Sequence, residues 1–264
     1  MSAGQGRNYT TRLFGDLTEL AEYAAQERFA TRGGTAWSGG TLRECVRRTR
    51  DGDATLVAQS EALMAKFEGL VFPTHRREWV ADVTGYVPNV PAHIAGHPAS
   101  MRRRAKREAE AAPVAVFVDI FASSSFSHSD IMTRGAAVLA LARILAGYRP
   151  IELYVAFASR RRDDNAAGCV AVKIDTAPLD LAHAAWALCG VGFLRQVMFS
   201  ALEGVFPSNP FPPLRESISN IAAEMLPHGT DVIAVNGVVS DVTSDPARWI
   251  TERIREAAPG RSEV

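Results

Sequence analysis

The run Val114-Ala-Val-Phe-Val-Asp119 constrains this chain more than any other segment. It is apolar until its last residue and rich in valine. That pattern belongs to a strand covered on both faces, as in a parallel sheet between helices. The run breaks into Ala122-Ser-Ser-Ser125-Phe-Ser127-His-Ser129 and then enters a helix-patterned segment, about Ser129 to Ala146. The centre of that helix, Gly135 to Ala142, is apolar on nearly every side, so the helix must itself be covered. A buried strand thus delivers a carboxylate and several hydroxyls to the mouth of a sheet, beside a helix N-terminus. Ligands and ions usually sit there in open α/β sheets.

Beyond this point strands and helices alternate. Ile151 to Ala158 reads as a strand, and the polar loop 159–168 leads to another, Cys169 to Ile174. With no helix between them these two should pair antiparallel. A long apolar helical segment follows, Leu179 to about Val205, weakened where Gly190 and Gly192 fall. After the prolines at 207, 210, 212 and 213 come a helix (about Arg215 to Met225), a strand (Asp231 to Val235) and a last helix (Pro246 to Ala257). Ser244-Asp-Pro marks the start of that last helix. The fold class expected is α/β: three layers, a mostly parallel sheet with one antiparallel edge strand, and a helical N-terminal extension.

The extension reads as an amphipathic helix over residues 11–30, a second helix from Thr41 to about Arg50 and a third from Ala54 to Phe67. From Phe72 to Ser100 prolines and glycines recur, which predicts an irregular connector with at most a short strand. The domain boundaries that follow are 1–112 for extension and connector, 113–258 for the α/β domain and 259–264 for a disordered tail.

Lys plus Arg balance Asp plus Glu at 29 each, so no global field draws the chain to nucleic acid or to an anionic membrane. Any such partner must be met by a local patch. Three widely spaced cysteines, Cys45, Cys169 and Cys189, suggest neither a disulfide framework nor a zinc knuckle and fit a reducing, cytoplasmic setting. The N-terminus lacks the apolar core of a signal peptide, and Arg195 stops the most apolar run short of a membrane span, so no membrane partner is expected.

The element order from Pro113 to Glu256 (strand, hydroxyl-rich loop, buried helix, strand, antiparallel strand, helices, strand, helix) resembles that of a von Willebrand factor A-like domain, with Val116-Phe-Val-Asp119 similar to that family's first strand. The resemblance implies a protein-interaction module. It also implies a Mg²⁺ or Mn²⁺ site in which one carboxylate and two hydroxyls act as hard oxygen ligands. Asp119 matches the family's Asp-x-Ser-x-Ser motif, whereas the second motif position is Phe121. The candidate metal ligands are therefore Asp119 with Ser123 and Ser125 on a longer loop. Asp175 and Thr176, or Asp241 and Thr243, are the remote groups that would close such a site. Read without the resemblance, the serines form a loop and a helix cap, with Ser127 or Ser129 taking the first free amides and Asp130 at the positive end of the helix.

The whole chain, including Trp37-Ser-Gly-Gly40, Val90 to Pro98 and Arg134 to Leu141, also resembles a family of uncharacterised proteins of tailed phages and prophages. That likeness implies a phage-encoded protein at work in a bacterial cytoplasm, with a phage protein or a second copy of the chain as partner.

Other candidate sites are weaker. His93 and His97 stand four apart, but Gly96 and Pro98 argue against the helix that would aim both at one zinc ion. His128 among the serines lacks a nucleophile elbow, His183 lies on an apolar helix face, and the glycine-rich segment 32–40 lacks the ending of a phosphate loop. Two basic clusters, Arg102-Arg103-Arg104-Ala-Lys106-Arg107 and Arg160-Arg161-Arg162, support an alternative reading as a nucleic-acid-associated protein. No aromatic residue is interleaved with either cluster in the sequence. No complete catalytic set emerges, so the expected function is non-enzymatic protein interaction.

Overall fold

A computed structural model describes residues 9–26, 35–67, 76–107, 113–123, 125–147, 149–161, 166–207, 212–214, 217–237 and 240–257; for 76–80, 104–107, 240 and 241 it describes the backbone alone. The chain divides into two compact units, Met1–Leu70 with Ala112–Val264, and Val71–Ala111.

The larger unit is built on β5 (Val114–Asp119), every residue of which is buried. It pairs in parallel with β6 (Ile151–Arg160) on one side and with β8 (Asp231–Val235) on the other. β6 turns back into β7 (Ala167–Ile174), and the two pair antiparallel as expected for a short polar connection. The sheet then gains a strand at its margin, because β1 (Tyr9–Phe14) lies parallel to β7 from Tyr9 opposite Ala167 to Phe14 opposite Val172. The order is β1-β7-β6-β5-β8.

β1 corrects the reading of a helix over residues 11–30. Thr10, Thr11, Tyr9 and Phe14 are good strand formers, and the free margin of β7 offers them a ladder. The helix begins only after Gly15, where Asp16 accepts the Glu19 amide at 2.8 Å and caps α1 (Leu17–Ala24). A local helical periodicity was present, but a distant strand decided the first four residues of the segment, and its last four, 27–30, lie outside the described residues.

Helices lie on both faces. On one, Ala115 and Phe117 join Tyr154, Ala156, Ala158, Cys169 and Ala171 in a cluster closed by Ile221 and Ala222 of α8 (Ser219–Met225). Strand alternation puts Val116, Val118, Leu153 and Val155 on the other face. There α5 (His128–Ala146) is packed against β6 and enclosed by α3 (Ala54–Met64), α6 (Leu181–Cys189) and α10 (Pro246–Ala257). Its centre is buried throughout, from Arg134 to Ala142. Gly135 permits this enclosure, since a Cβ there would lie 2.6 Å from the Leu188 carbonyl oxygen of α6.

The apolar segment after β7 breaks where its glycines predict. α6 ends at Cys189, a π-helical turn runs from Phe193 to Met198, and α7 (Phe199–Val205) completes it; the two halves diverge by 68°. α2 (Leu42–Asp51), capped by Thr41 and Glu44, packs against α6 and against this π-turn. No single helix among the described residues is long and apolar enough to cross a membrane.

The smaller unit is a three-stranded antiparallel sheet, β2 (Arg76–Asp82), β3 (Val87–Pro88) and β4 (Met101–Arg107), in the order β2-β4-β3, with a short helix α4 (Val90–Ile94). It replaces the irregular connector expected over Phe72 to Ser100. Two features concealed it: β2 and β4 meet across a long intervening segment, and β4 carries five cations among its seven residues. The tail 259–264 and Arg162 lie outside the described residues.

Candidate functional site

β5 lies at the point where the sheet changes direction. The chain leaves it through α5 toward β6 and returns much later on its other side as β8. The crevice beyond the carboxyl ends of β5 and β8 is where open α/β sheets take their ligands. Asp119 ends β5 at this rim. It is 4% exposed, and its Oδ1 accepts the amides of Phe121 at 3.0 Å and of Ala158 at 3.3 Å. The Gly237 amide, after β8, adds to this set, and a Cβ on Gly237 would come within 2.7 Å of Asp119 Oδ2. One carboxylate therefore ties together the loop after β5, the adjacent strand β6 and the loop after β8.

Arg134, 1% exposed, reaches the same place from the second turn of α5. Its Nη1 donates to the Phe121 carbonyl at 3.2 Å, while Nη2 has no hydrogen-bond partner among the described residues. Burial pushes the Asp119 carboxyl up to about 6, against the opposing pull of the Phe121 and Ala158 amides, Arg134 and the Gly237 amide. Burial likewise brings Arg134 down to about 10, with Asp119 resisting. Desolvation outweighs pairing for both groups.

The hydroxyls take a different course. Ser125 Oγ lies 3.1 Å from Ser123 Oγ on the outer part of the loop, and no hydrogen bond among the described residues joins either hydroxyl to Asp119. Ser127 caps α5: its Oγ accepts the Asp130 amide at 3.1 Å, and Asp130 accepts the Ser127 amide at 2.9 Å. His128 is exposed on the first turn. Thr176 donates to the Ile151 carbonyl at 2.7 Å, which places it and the adjacent Asp175 at the opposite end of the sheet from Asp119. Thr243 lies on α9 (Ser240–Ser244), at the carboxyl end of β8, and the side chain of Asp241 is outside the described set. No group of three or more His, Cys, Asp or Glu side chains among the described residues is placed to hold a metal ion.

Two further residues build the rim, and sequence reasoning did not select them. Arg195, in the π-turn, donates through Nη1 to the Trp37 carbonyl at 2.7 Å and through Nη2 to the Phe126 carbonyl at 3.4 Å. Its guanidinium also lies 4.4 Å from the centre of the Trp37 ring. The turn carrying Trp37 is seated by Gln196, which donates to the Gly40 carbonyl at 2.8 Å, and by Gly39, whose φ of +74° and contact with Gly192 leave no room for a side chain. Trp37 nevertheless remains 48% exposed. The sequence carried one signal of this arrangement: an arginine inside an otherwise apolar helix needs carbonyls to face.

The remaining candidates separate. Arg160 Nε donates to the Pro213 carbonyl at 3.2 Å and Arg161 stacks on Phe206 at 4.7 Å, so both are held by the larger unit. Arg102, Arg103, Arg104, Lys106 and Arg107 form β4 of the smaller unit. His183 is partly exposed and bridges Asp180 at 2.8 Å and the Arg50 carbonyl at 2.9 Å. His93 lies within α4 and His97 beyond it, where its Nδ1 accepts the Ala99 amide at 3.2 Å. Cys45, Cys169 and Cys189 are all free and buried.

A family described as a domain of unknown function, DUF7192, matches residues 3–216, and the chain belongs to that family. The match takes in β1, the smaller unit, β5 and the Trp37 turn, and ends before α8 and β8. No curated protein and no solved structure matches the chain.

Proposed function

We propose that this chain is a non-enzymatic protein-interaction module of the von Willebrand factor A-like kind, which docks its partner at the rim formed by the loop 119–129 and Trp37. One observation carries the reading: buried Arg195 holds both the Trp37 turn and the Phe126 carbonyl, so an exposed indole is fixed beside the loop after β5. Immobilised tryptophans and arginines are the residue types that dominate binding energy at protein interfaces. The element order from β5 to α10, with an antiparallel β6–β7 pair, supports the likeness to that domain family.

Asp119 serves this rim as a backbone clamp. Both strand and loop amides fall on Asp119 Oδ1, and no hydrogen bond among the described residues joins Ser123 or Ser125 to that carboxylate, so a Mg²⁺ or Mn²⁺ site of these three would need the serine loop to turn inward. Docking is therefore expected to be independent of divalent cation. Calorimetry with Mg²⁺ and Mn²⁺ tests this: binding heat that disappears in Asp119→Ala but persists in Ser219→Ala would establish the cation site instead. The likeness to phage and prophage proteins makes a phage protein, or a second copy of the chain, the expected partner in a bacterial cytoplasm. Sedimentation of the purified chain separates these two: a dimer dispersed by Trp37→Ala identifies self-association.

A further inference from the structure

The smaller unit contains a cationic face, without an acid among the paired positions of β2 and β4, whose chemistry the rim does not use. β2 and β4 together hold Arg76, Arg77, five cations on β4, and the carboxylates Glu78 and Asp82. The register sorts them. Arg102 lies opposite Ala81, Arg104 opposite Trp79 and Lys106 opposite Arg77, and these six positions share one face by strand alternation. Both carboxylates fall on the other parity with Arg103, which pairs with Asp82. One face therefore collects four cations and a tryptophan with no acid among them, while the chain as a whole is neutral. Trp79 supplies the aromatic residue absent from the linear cluster, brought there from 25 positions away by pairing with Arg104.

The rest of the unit is just as open. Of the residues from Ala81 to Arg103, none is buried. Val87 extends the cationic face opposite Arg102, whereas Tyr86, one position earlier and 86% exposed, falls on the other parity. A sheet this small with no buried side chain in that span gains its order from whatever covers it.

We propose that this face binds single-stranded nucleic acid, its row of cations serving the phosphates and the Trp79 position the bases. Cations recur every second residue, about 6.8 Å apart along the strand, so successive rows can meet successive phosphates. Cations interleaved with aromatic platforms are the general solution for single strands, and arginine favours phosphate through its planar fork of donors.

Fluorescence anisotropy of the full chain with labelled oligo-dT and oligo-U, about twenty nucleotides long, tests this at about 50 and 200 mM NaCl. Binding should weaken steeply with salt. Arg102→Glu should lower affinity roughly tenfold or more and flatten the log–log salt slope by about 0.7 per cation removed. Trp79→Ala should lower affinity roughly tenfold and leave the slope unchanged, whereas Tyr86→Ala, exposed and on the other parity, should change neither. A preference for one oligonucleotide identifies DNA or RNA as the ligand. No anisotropy change at the lower salt, a change that Arg102→Glu leaves intact, or binding to phosphatidylserine vesicles in place of oligonucleotides would overturn the proposal. Trp37→Ala should leave oligonucleotide binding unchanged, so the rim reading and this one stand or fall separately.

Discussion

Asp119 Oδ1 accepts the Ala158 amide at 3.3 Å, across from the strand that Asp119 itself terminates. The same oxygen holds the Phe121 amide, so the geometry of the rim depends on a single buried carboxylate. Replacing it with alanine strips these amides of their acceptor and leaves Arg134 buried without its counter-charge. Asp119→Ala should destabilise by about 3–5 kcal/mol in urea unfolding, and Arg134→Met added to it should recover part of that loss.

Asp119 also predicts a pH dependence with a definite sign. Its folded value of about 6 lies above the ordinary 3.8, so between those limits the folded state holds the extra proton. Its contribution to stability is therefore largest below about pH 4 and is lost as pH rises through 6. The wild-type minus Asp119→Asn difference in unfolding free energy should fall over that range by on the order of 3 kcal/mol. Taking the difference removes the opposite trend from carboxylates with lowered values, such as Asp180 and Glu152.

His183 should act in a separate window. Burial lowers its value, but the Arg50 carbonyl and Asp180 outweigh that and raise it on balance. Protonated His183 can donate to both partners, so its contribution is complete below about pH 6.5 and is lost as pH rises through its folded value. Thermal unfolding of His183→Gln should show a smaller decline than wild type between about pH 6 and 8.

Trp186 Nε1 donates to Thr49 Oγ1 at 3.0 Å, and Thr49 Oγ1 in turn donates to the Cys45 carbonyl at 2.9 Å. This chain joins α6 to α2 inside the core. Trp186→Phe and Thr49→Val should each cost about 1 kcal/mol or more. A double-mutant cycle should show the pair to be less than additive.

Gly135 gives a sharper structural test. Its Cβ would meet Cys189 Sγ and the Leu188 carbonyl, which belong to a helix with little freedom to retreat. Gly135→Ala should destabilise by about 1–3 kcal/mol despite alanine's better helix propensity, whereas Gly147→Ala, whose nearest contact is 3.4 Å, should be close to neutral.

Much of the sheet was legible because its inner strands are uniform. Val114–Asp119, Ile151–Arg160 and Ala167–Ile174 are largely apolar runs, and their character does not depend on which strand they meet. β1 and β4 were not legible for the opposite reason. Tyr9–Phe14 becomes a strand only because β7 has a free margin, and Met101–Arg107 only because Arg76–Asp82 pairs with it. At the candidate site, Asp119 stood out as a carboxylate ending a buried strand, and Ser127 as a cap. The serines at 123 and 125 looked like ligands because linear spacing does not show which way a loop turns. Trp37 and Arg195 are 158 positions apart, so only the folded chain brings them together.

Site-specific photo-crosslinking of the full chain, in the bacterial cells that the proposed phage origin implies, tests the docking rim most directly. A crosslinker at Ser125, on the exposed loop beside Trp37, should give one discrete protein adduct that persists when divalent cations are chelated and disappears in Trp37→Ala. The same group at Glu224, exposed on α8, should give none. Equal yields from the two positions, or an adduct indifferent to Trp37, would contradict the account.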